Sequence, residues 1–393
     1  MTGKALVTEQ TDQRLKWEHT LKTVFSKQKE EYTLLSIHQL VGLCLTVFVK
    51  RVLIPSIDNV KSCIIREGLS GVLGNKGSIA LRFDINDIGL CFINCHLAAH
   101  QKNIVARNNN LNSILNSTRF VNPYSGATIS VPEHPITFVF GDFNYRIDNS
   151  VGNWDTAEIQ QKIHDGRLKF LLKFDQLSTE LKKDHLQLHK LGFVEGDIEF
   201  APTYKYITGS DVYDSEKNAE KIGKVKSTSK IILGTVKKKK DRIPSWTDRI
   251  FYRNVEYENL KCVQQVYNRS ESRFSDHKPV VSAFNVSFAK AGSGSGAGGG
   301  TLVSLSSSSS SMLSLGGAAT PPTSTSAAAP PPVPKHLIDQ RKKNMSCGKL
   351  VELDDDSVVG PTTTIASPNT ITTTTTNTPS KTASNASTSI QLQ

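Results

Sequence analysis

The sequence predicts one α/β or α+β layered domain in residues 1–288, followed by a tail without a core. Short apolar runs rich in β-branched and aromatic residues alternate with stretches of helical spacing, an order typical of layered folds. After Phe288 there is no further Phe, Tyr or Trp, and Gly, Ser, Thr and Pro runs dominate. Such a segment buries too little apolar surface to offset the entropy of ordering its backbone. Residues 289–393 are therefore predicted to be disordered.

The predicted elements follow from hydrophobic spacing. Residues 9–28 have the pattern of an amphipathic surface helix. Apolar runs bounded by Gly, Pro, Asn or Asp then predict buried strands at Leu43–Val49, Val60–Ile65, Ser78–Phe83 and Leu90–Cys95. The remaining predicted elements are a helix from about Asn103 to Asn116, a strand at Ile136–Phe140, helical stretches between Asp155 and Lys190, and strands near Leu260–Tyr267 and Val280–Val286. The lysine-rich stretch 211–240 has no period and is predicted to be a surface excursion.

The composition limits the partners and the compartment. A formal net charge of +11 favours an anionic partner, which leaves nucleic acid, an acidic membrane and a phosphorylated small substrate open. The six cysteines have no C-x-x-C spacing, which indicates reduced thiols rather than a disulfide framework or a zinc site. No apolar stretch reaches the roughly 18 residues of a membrane span, and we expect a cytoplasmic protein.

The segment G-D-F-N-Y-R at Gly141–Arg146 follows the predicted strand Ile136–Phe140 directly. A carboxylate at a strand end, Asp142, with an amide two residues later, Asn144, can orient a water molecule and hold a phosphoryl oxygen. The alternative is a strand-ending turn, in which Asp and Asn are common.

Two further segments carry groups suited to phosphoryl chemistry. In F-S-D-H-K-P, His277 suits proton transfer or electrostatic stabilisation, although a loop histidine is more often structural. In R-I-P-S-W-T-D-R-I, Asp248 can orient a histidine or form a salt bridge with Arg249. In N-C-H-L-A-A-H, His96 and His100 lie four apart, but the strand before them and the missing Glu disfavour zinc.

Taken together and in this order, the motifs resemble those of the inositol polyphosphate 5-phosphatases, a branch of the deoxyribonuclease-like endonuclease/exonuclease/phosphatase superfamily. The resemblance spans roughly Leu15 to Phe288. The matching segments are G-L-S-G-V-L-G-N-K-G-S-I-A-L-R-F, N-C-H-L-A-A-H, F-G-D-F-N-Y-R-I, A-P-T-Y-K-Y, R-I-P-S-W-T-D-R-I and S-D-H-K-P-V.

The resemblance implies a four-layer sandwich of two mixed β-sheets flanked by helices, with the site at one rim. It implies in-line attack on the 5-phosphate by a water molecule held by Asp142, in the presence of Mg²⁺. Asn144 and His277 would hold the phosphoryl oxygens, Asp248 would orient His277, and His96 would touch the scissile phosphate. The implied substrate contacts are Tyr204, Lys205, Lys240 and Arg242 for the 4-phosphate, and Asn75, Lys76 and Arg146 elsewhere on the substrate.

The sequence departs from the family pattern in three places. The family opens with strands that carry W-N-x-N-G and L-Q-E, and the Glu of L-Q-E is its main magnesium ligand. Neither strand has a counterpart here, and Glu9 lacks the flanking pattern. The resemblance implies that Asp276 lies beside the metal. We hypothesise that the sequence is a fragment or a truncated gene model. In addition, the excursion 211–239 is long, and Thr247 replaces the usual Cys, a change expected to matter little.

Three functions follow as alternatives: a phosphoinositide 5-phosphatase, an inactive lipid-binding remnant, and a nuclease of the same superfamily. The segments Y-R after G-D-F-N and A-P-T-Y-K-Y favour the phosphatase and argue against a nucleic-acid partner. The expected substrates are phosphoinositides such as PtdIns(4,5)P2 and PtdIns(3,4,5)P3 or soluble inositol phosphates. We expect peripheral contact with the cytoplasmic face of anionic membranes, and the sequence carries no signal for an oligomeric state.

Overall fold

The computed structural model describes residues 11–68, 73–122, 125–215, 218, 231–232, 235–236, 242–255, 260–289, 302–303, 369–375 and 388–392. These residues belong to one of the two units into which the chain divides, residues 1–307 with 361–393. The other unit, residues 308–360, lies outside the described residues.

Strands hold more of the described residues than helices do, and five of the six helices lie between Ile104 and Lys190. The helices are α1 Thr11–Phe25, α2 Ile104–Ser117, α3 Thr156–His164, α4 Leu168–Leu172, α5 Gln176–Leu181 and α6 Gln187–Lys190, with 3-10 turns at Arg51–Ser56 and Val131–Glu133. The strands of the first half are β1 Tyr32–Leu40, β2 Leu43–Lys50, β3 Ile57–Gly68, β4 Leu73–Ile85, β5 Ile88–His96, β6 Arg119–Val121, β7 Thr128–Ser130 and β8 Ile136–Asp142. Those of the second half are β9 Val194–Glu195, β10 Ile231–Ile232, β11 Thr235–Val236, β12 Asp248–Asn254, β13 Leu260–Arg269, β14 Val280–Ala289, β15 Leu302–Val303, β16 Asn369–Thr375 and β17 Thr388–Leu392.

Two large sheets pack face to face. The first sheet has the order β1-β2-β16-β17-β14-β13, with β15 beside β14, and the second has the order β3-β4-β5-β8-β12-β9. Phe92 and Phe138 of the second sheet meet Phe284 of the first in the core between them, with ring centroids of Phe138 and Phe284 4.8 Å apart. Each buried Phe contributes about 1.5–3 kcal/mol through its loss of water contact.

Helices cover both outer faces. Ile93 and Cys95 of β5 point away from the first sheet and pack with Leu111 of α2 and Leu177 of α5 in a second core. On the opposite side, the last residue of α1, Phe25, packs on Phe48 of β2 with ring centroids 4.4 Å apart. This arrangement confirms the expected sandwich of two mixed sheets flanked by helices. Among the described residues, no helix has the length and apolarity needed to cross a bilayer.

The predicted elements up to α6 and the two closing strands are confirmed, but the structure contains two long strands that the sequence analysis did not assign. In β1, polar Ser36, His38 and Gln39 interrupt the apolar pattern, and the strand is mostly half-buried. In β12, the apolar run Ile250–Tyr252 is only three residues long and begins at the last residue of the R-I-P-S-W-T-D-R-I segment.

The tail also contains strands where the sequence analysis expected none. β16 pairs in parallel with β2 over residues 369–373, and β17 pairs antiparallel with β14 over residues 388–392. The physical reason is that β-branched threonine suits strands, and the free edges of β2 and β14 offer backbone partners that do not require a large apolar side chain.

Candidate active site

Strand register brings three of the expected site residues to one edge of the second sheet. Strands β5 and β8 are parallel, and His96 lies opposite Asp142. Strand β12 runs antiparallel on the other side of β8, and Asp248 also lies opposite Asp142. Each of these three side chains therefore lies at the end of a strand, on the rim of the sheet.

Gly141 permits the close approach of β5 and β8 next to Asp142. Its φ is +127°, a conformation that side-chain-bearing residues rarely adopt, and an added Cβ atom would lie 2.2 Å from the carbonyl oxygen of Cys95. The glycine of G-D-F-N therefore sets the spacing between the strands that carry His96 and Asp142.

Asn144 orients the Asp142 carboxylate. Its backbone N–H donates to Asp142 Oδ1 at 2.9 Å and its Nδ2 donates to Asp142 Oδ2 at 2.8 Å. The same Nδ2 also donates to the Leu97 carbonyl at 3.3 Å, and Arg146 donates to Asn144 Oδ1. The Asn144 amide thus bonds to Asp142, Leu97 and Arg146, and Asn144 orients the Asp142 carboxylate. Its expected contact with a phosphoryl oxygen stays a prediction.

Asp248 holds the ring of His277. His277 Nδ1 lies 2.9 Å from Asp248 Oδ2 and 3.1 Å from Oδ1, an arrangement that leaves Nε2 for a substrate. The hydroxyls of Thr203 and Thr247 donate to the same carboxylate at 2.6 and 2.9 Å. Thr247 is fully buried, and its hydroxyl also lies 3.4 Å from His277 Nδ1. The structure therefore gives Thr247 a larger part in the site than the sequence analysis expected.

Charge pairing keeps His277 protonated. Burial alone lowers its pKa, but attraction to Asp248, Asp142 and Asp276 outweighs burial and raises the pKa of His277 to about 9. Burial likewise favours the neutral form of Asp248, yet His277 and the two threonine hydroxyls hold the pKa of Asp248 below its usual value. At neutral pH the pair is an imidazolium beside a carboxylate.

For Asp142, His96 and Lys76, burial outweighs the attraction of opposite charges. Burial, reinforced by repulsion from Asp248, raises the pKa of Asp142, although His277 and Lys76 oppose the shift. Lys76 donates to Nε2 of His96, which lies 3.4 Å from Asp142 Oδ2. Burial, then Lys76 and His277, lower the pKa of His96 well below its usual value, so His96 is neutral. Burial also lowers the pKa of Lys76 to about 8.

The residues expected to contact the substrate lie around this centre. The Tyr204 ring packs against His277, with centroids 4.7 Å apart, and Arg146 lies 4.2 Å from the Tyr204 centroid. Lys205 Nζ lies 3.3 Å from Asp214 Oδ2 and 3.7 Å from Asp276 Oδ2. Arg242 is half-buried and lowers the pKa of His100 after burial does. Asn75 Oδ1 is buried without a hydrogen-bond partner among the described residues, and Lys240 lies outside them.

The described residues do not form a complete metal site. None of the described His, Cys, Asp and Glu side chains cluster in a group of three that could hold an ion. Asp276 has the oxygen ligands that Mg²⁺ prefers, but its carboxylate faces Lys205 and the Ser275 hydroxyl. Within the described part of the chain, no other such side chain joins Asp276 in a metal-binding group, and the role of Asp276 beside a metal stays a prediction.

Comparisons with known proteins agree with the motifs. The family model described as Endonuclease/Exonuclease/phosphatase family 2 matches residues 1–283. The chain is 32% identical over 293 residues to inositol-1,4,5-trisphosphate 5-phosphatase 1 of Schizosaccharomyces pombe, a match that covers 74% of this chain and 23% of the relative. It is 35% identical over 271 residues to type I inositol polyphosphate 5-phosphatase 4 of Arabidopsis thaliana, covering 67% of this chain and 44% of the relative. The chain thus spans less than half of each of these relatives.

A solved structure has the same fold. The inositol polyphosphate 5-phosphatase domain of SPsynaptojanin, crystallised with inositol (1,4)-bisphosphate and a calcium ion, is 33% identical. The two structures superpose with a TM-score of 0.55, over 70% of this chain and 69% of that one.

Proposed function

Because the chain belongs to endonuclease/exonuclease/phosphatase family 2, we propose that it is a phosphoric monoester hydrolase that removes the 5-phosphate from inositol phosphates. The observation that carries this proposal is the convergence of Asp142 with the His277–Asp248 pair at one sheet edge. The names of the relatives support the choice of substrate class. We propose PtdIns(4,5)P2, PtdIns(3,4,5)P3 and soluble inositol polyphosphates as the substrates.

The protonation states suit hydrolysis by water. The Asp142 carboxylate takes a proton from the attacking water as the water oxygen bonds to phosphorus and the bond between phosphorus and the inositol oxygen breaks. The inositol oxygen leaves with a proton from solvent, and Asp142 returns its proton to solvent. His277 donates from Nε2 to a phosphoryl oxygen and offsets the charge that grows there. Asp248 holds the ring, and neutral His96 lies beside the same phosphate. His277, Asp248 and His96 act in the protonation states described above, and Asp142 acts as the carboxylate.

Cationic and aromatic side chains around the centre suit a substrate with several phosphates. Tyr204 and Lys205 lie next to His277 and Asp276, where a phosphate neighbouring the scissile one would fall. We assign the 4-phosphate to Tyr204, Lys205, Lys240 and Arg242. Asn75, Lys76 and Arg146 contact other parts of the substrate, and the unpaired Asn75 Oδ1 accepts from one of its hydroxyl groups.

We also propose dependence on a divalent cation, Mg²⁺, and peripheral contact with anionic membranes from the cytoplasmic side. The calcium ion bound by the related domain supports the first proposal. The net charge of +11 supports the second.

The test is phosphate release by the purified full chain from PtdIns(4,5)P2 and PtdIns(3,4,5)P3 in anionic vesicles and from soluble Ins(1,4,5)P3, with Mg²⁺ and with EDTA. Single- and double-stranded DNA serve as nuclease substrates. We expect release from inositol substrates that EDTA abolishes, and no DNA cleavage. DNA cleavage without phosphate release would replace the proposal with a nuclease. Vesicle binding without either reaction would indicate an inactive lipid-binding protein.

A further inference from the structure

The start of α5 lies beneath the loops that follow the site strands. Asp175 is 0% and Gln176 5% exposed, and neither belongs to the motifs that predicted the site. The Asp175 carboxylate accepts from Ser178 N at 2.9 Å, which caps α5, and from Arg249 Nη1 at 2.9 Å. Since Arg249 follows Asp248, this ion pair attaches α5 to the strand that carries Asp248.

Gln176 joins two loops with one side chain. Its Oε1 accepts from the Arg146 backbone N–H at 3.0 Å, and its own backbone N–H donates to the Arg146 carbonyl at 2.9 Å. Its Nε2 donates to the Gln101 carbonyl at 3.2 Å. Gln101 lies in the loop after β5, and Arg146 lies in the loop after β8. The two ends of one amide therefore connect the loop after His96 to the loop after Asp142.

A buried arginine completes the connection. Arg107 of α2 is 0% exposed and donates to the carbonyls of Ala98, His100 and Gln101 at 3.2, 2.6 and 3.3 Å. Its Nη2 also donates to Gln176 Oε1 at 2.7 Å. The acceptors in these four bonds are uncharged, so Gln176 fixes the guanidinium without neutralising it.

We propose that Gln176 is a positioning residue of the phosphatase site, which holds loop 97–101, and with it His96, against loop 143–147. The inference rests on the proposed function. Gln176 does not touch the substrate. It acts by keeping His96 at its 3.4 Å distance from Asp142 and by keeping water out of the gap between the two loops.

The test compares Gln176→Met with Gln161→Met in the full chain. Methionine has the length of glutamine but no polar end, and Gln161 is exposed on α3.

For Gln176→Met we expect kcat for phosphate release to fall about 10–100-fold, with KM changed less than about threefold. The acid limb of the kcat profile should move to lower pH, because added water reduces the burial that raises the pKa of Asp142. Amide hydrogen exchange in residues 97–101 should accelerate. Gln161→Met should leave all three readouts unchanged.

Gln176→Glu provides the conservative comparison. It keeps both acceptor bonds, so Arg107 still connects it to loop 97–101, but it places a carboxylate oxygen against the Gln101 carbonyl in place of a donor. We therefore expect kcat to fall, by less than in Gln176→Met. The inference is wrong if Gln176→Met lowers thermal stability while the acid limb and the exchange of residues 97–101 stay unchanged. It is also wrong if Gln176→Met behaves as wild type. If the wild-type chain releases no phosphate, the proposed function fails, and the exchange measurement alone decides the positioning role: acceleration supports it and no change overturns it.

Discussion

His277 remains protonated at neutral pH because the Asp248 carboxylate lies 2.9 Å from its Nδ1 atom. The pKa of His277 rises from an ordinary 6.5 to about 9, so the charged ring stabilises the folded state. This stabilisation is complete below pH 6.5 and is lost as the pH rises through 9. The proposed mechanism uses the same proton, so we expect stability and activity to share one titration.

Asp248→Asn should move the alkaline limb of activity to lower pH. The amide oxygen can still accept from Nδ1, but the attraction that opposes burial is lost, so the pKa of His277 falls and the neutral ring becomes more populated. We expect kcat at pH 7 to drop about 10–100-fold. The measurement is the pH dependence of kcat for Ins(1,4,5)P3, with exposed Asp58→Asn as the control. An alkaline limb that stays at the wild-type pH would contradict the charge pairing.

Lys205→Ala should reduce the preference for a substrate with a 4-phosphate. The Lys205 side chain is 19% exposed, and its ammonium lies 3.7 Å from Oδ2 of Asp276, the residue before His277 in the chain. Loss of one charge-assisted bond should lower the kcat/KM ratio between Ins(1,4,5)P3 and Ins(1,5)P2 about tenfold. Lys169→Ala, on the exposed side of α4, should leave the ratio unchanged. An equal loss on both substrates would mean that Lys205 does not recognise the 4-phosphate.

Among single residues, the sequence predicted the polar groups that meet at the rim better than it predicted the residues that support them. Asp142, Asp248, His277 and His96 stand in motifs at strand ends, and register unites three of them. The Thr203 hydroxyl reaches Asp248 across 45 residues of sequence, and no local pattern encodes such a contact. Thr247 adjoins Asp248, and that adjacency was the one available signal for its role.

At the scale of elements, the spacing of β5 and β8 controls the site. Seven consecutive pairs, from Leu90–Ile136 to His96–Asp142, keep the two strands parallel up to the rim. Gly141 is the point where the backbones come too close for a side chain. A change at this glycine acts on both strands at once, because neither can move without breaking the pairing.

Gly141→Ala should destabilise the protein and weaken the site together. The new methyl group would lie 2.2 Å from Cys95 O at a positive φ, so the strands must separate. We expect a loss of at least about 2 kcal/mol of unfolding free energy by urea titration. Gly192→Ala is the matched control, since its φ is +74° with no atom within 4 Å, and about 1 kcal/mol is expected there. Equal losses in the two variants would exclude the proposed close approach.

Strands formed by a continuous run of buried apolar residues could be predicted from the sequence. Half-buried strands of mixed composition could not. β5 is buried along almost its whole length and was predicted nearly residue by residue. β1 has eight half-buried residues of nine, so its composition is mixed and its pairing with β2 defines it. The existence of β1 is therefore a tertiary property that local propensity does not encode.

At the scale of the whole molecule, the first sheet depends on a distant part of the chain. β2 and β14 do not pair with each other, and β16 and β17 fill the interval between them. Both flanking strands contribute to the core between the sheets, through Leu45 and Val47 on β2 and Phe284 on β14. The prediction of a disordered tail considered only the burial of side chains. It did not consider backbone hydrogen bonds to the edges of β2 and β14, which β16 and β17 form.

Deletion of residues 361–393 should lower the thermal midpoint by at least about 5 °C. The deletion removes five register pairs to β2 and five to β14 and exposes two interior strand edges. Deletion of residues 310–342, a segment of the same length outside the described residues, is the control and should leave the midpoint unchanged. Equal midpoints for the two deletions would show that the tail strands do not contribute to the sheet.

The central claim is that Asp142 and the His277–Asp248 pair act on one phosphoryl group, and product analysis of Asp142→Asn tests it most directly. The full chain and the variant, matched for folded concentration, are incubated with Ins(1,4,5)P3 and Mg²⁺, and the products are resolved by position. The account predicts Ins(1,4)P2 as the product, with kcat about 10²–10⁴-fold lower in Asp142→Asn and unchanged in Asp58→Asn. Comparable turnover in Asp142→Asn, or release of the 1- or 4-phosphate, would contradict it.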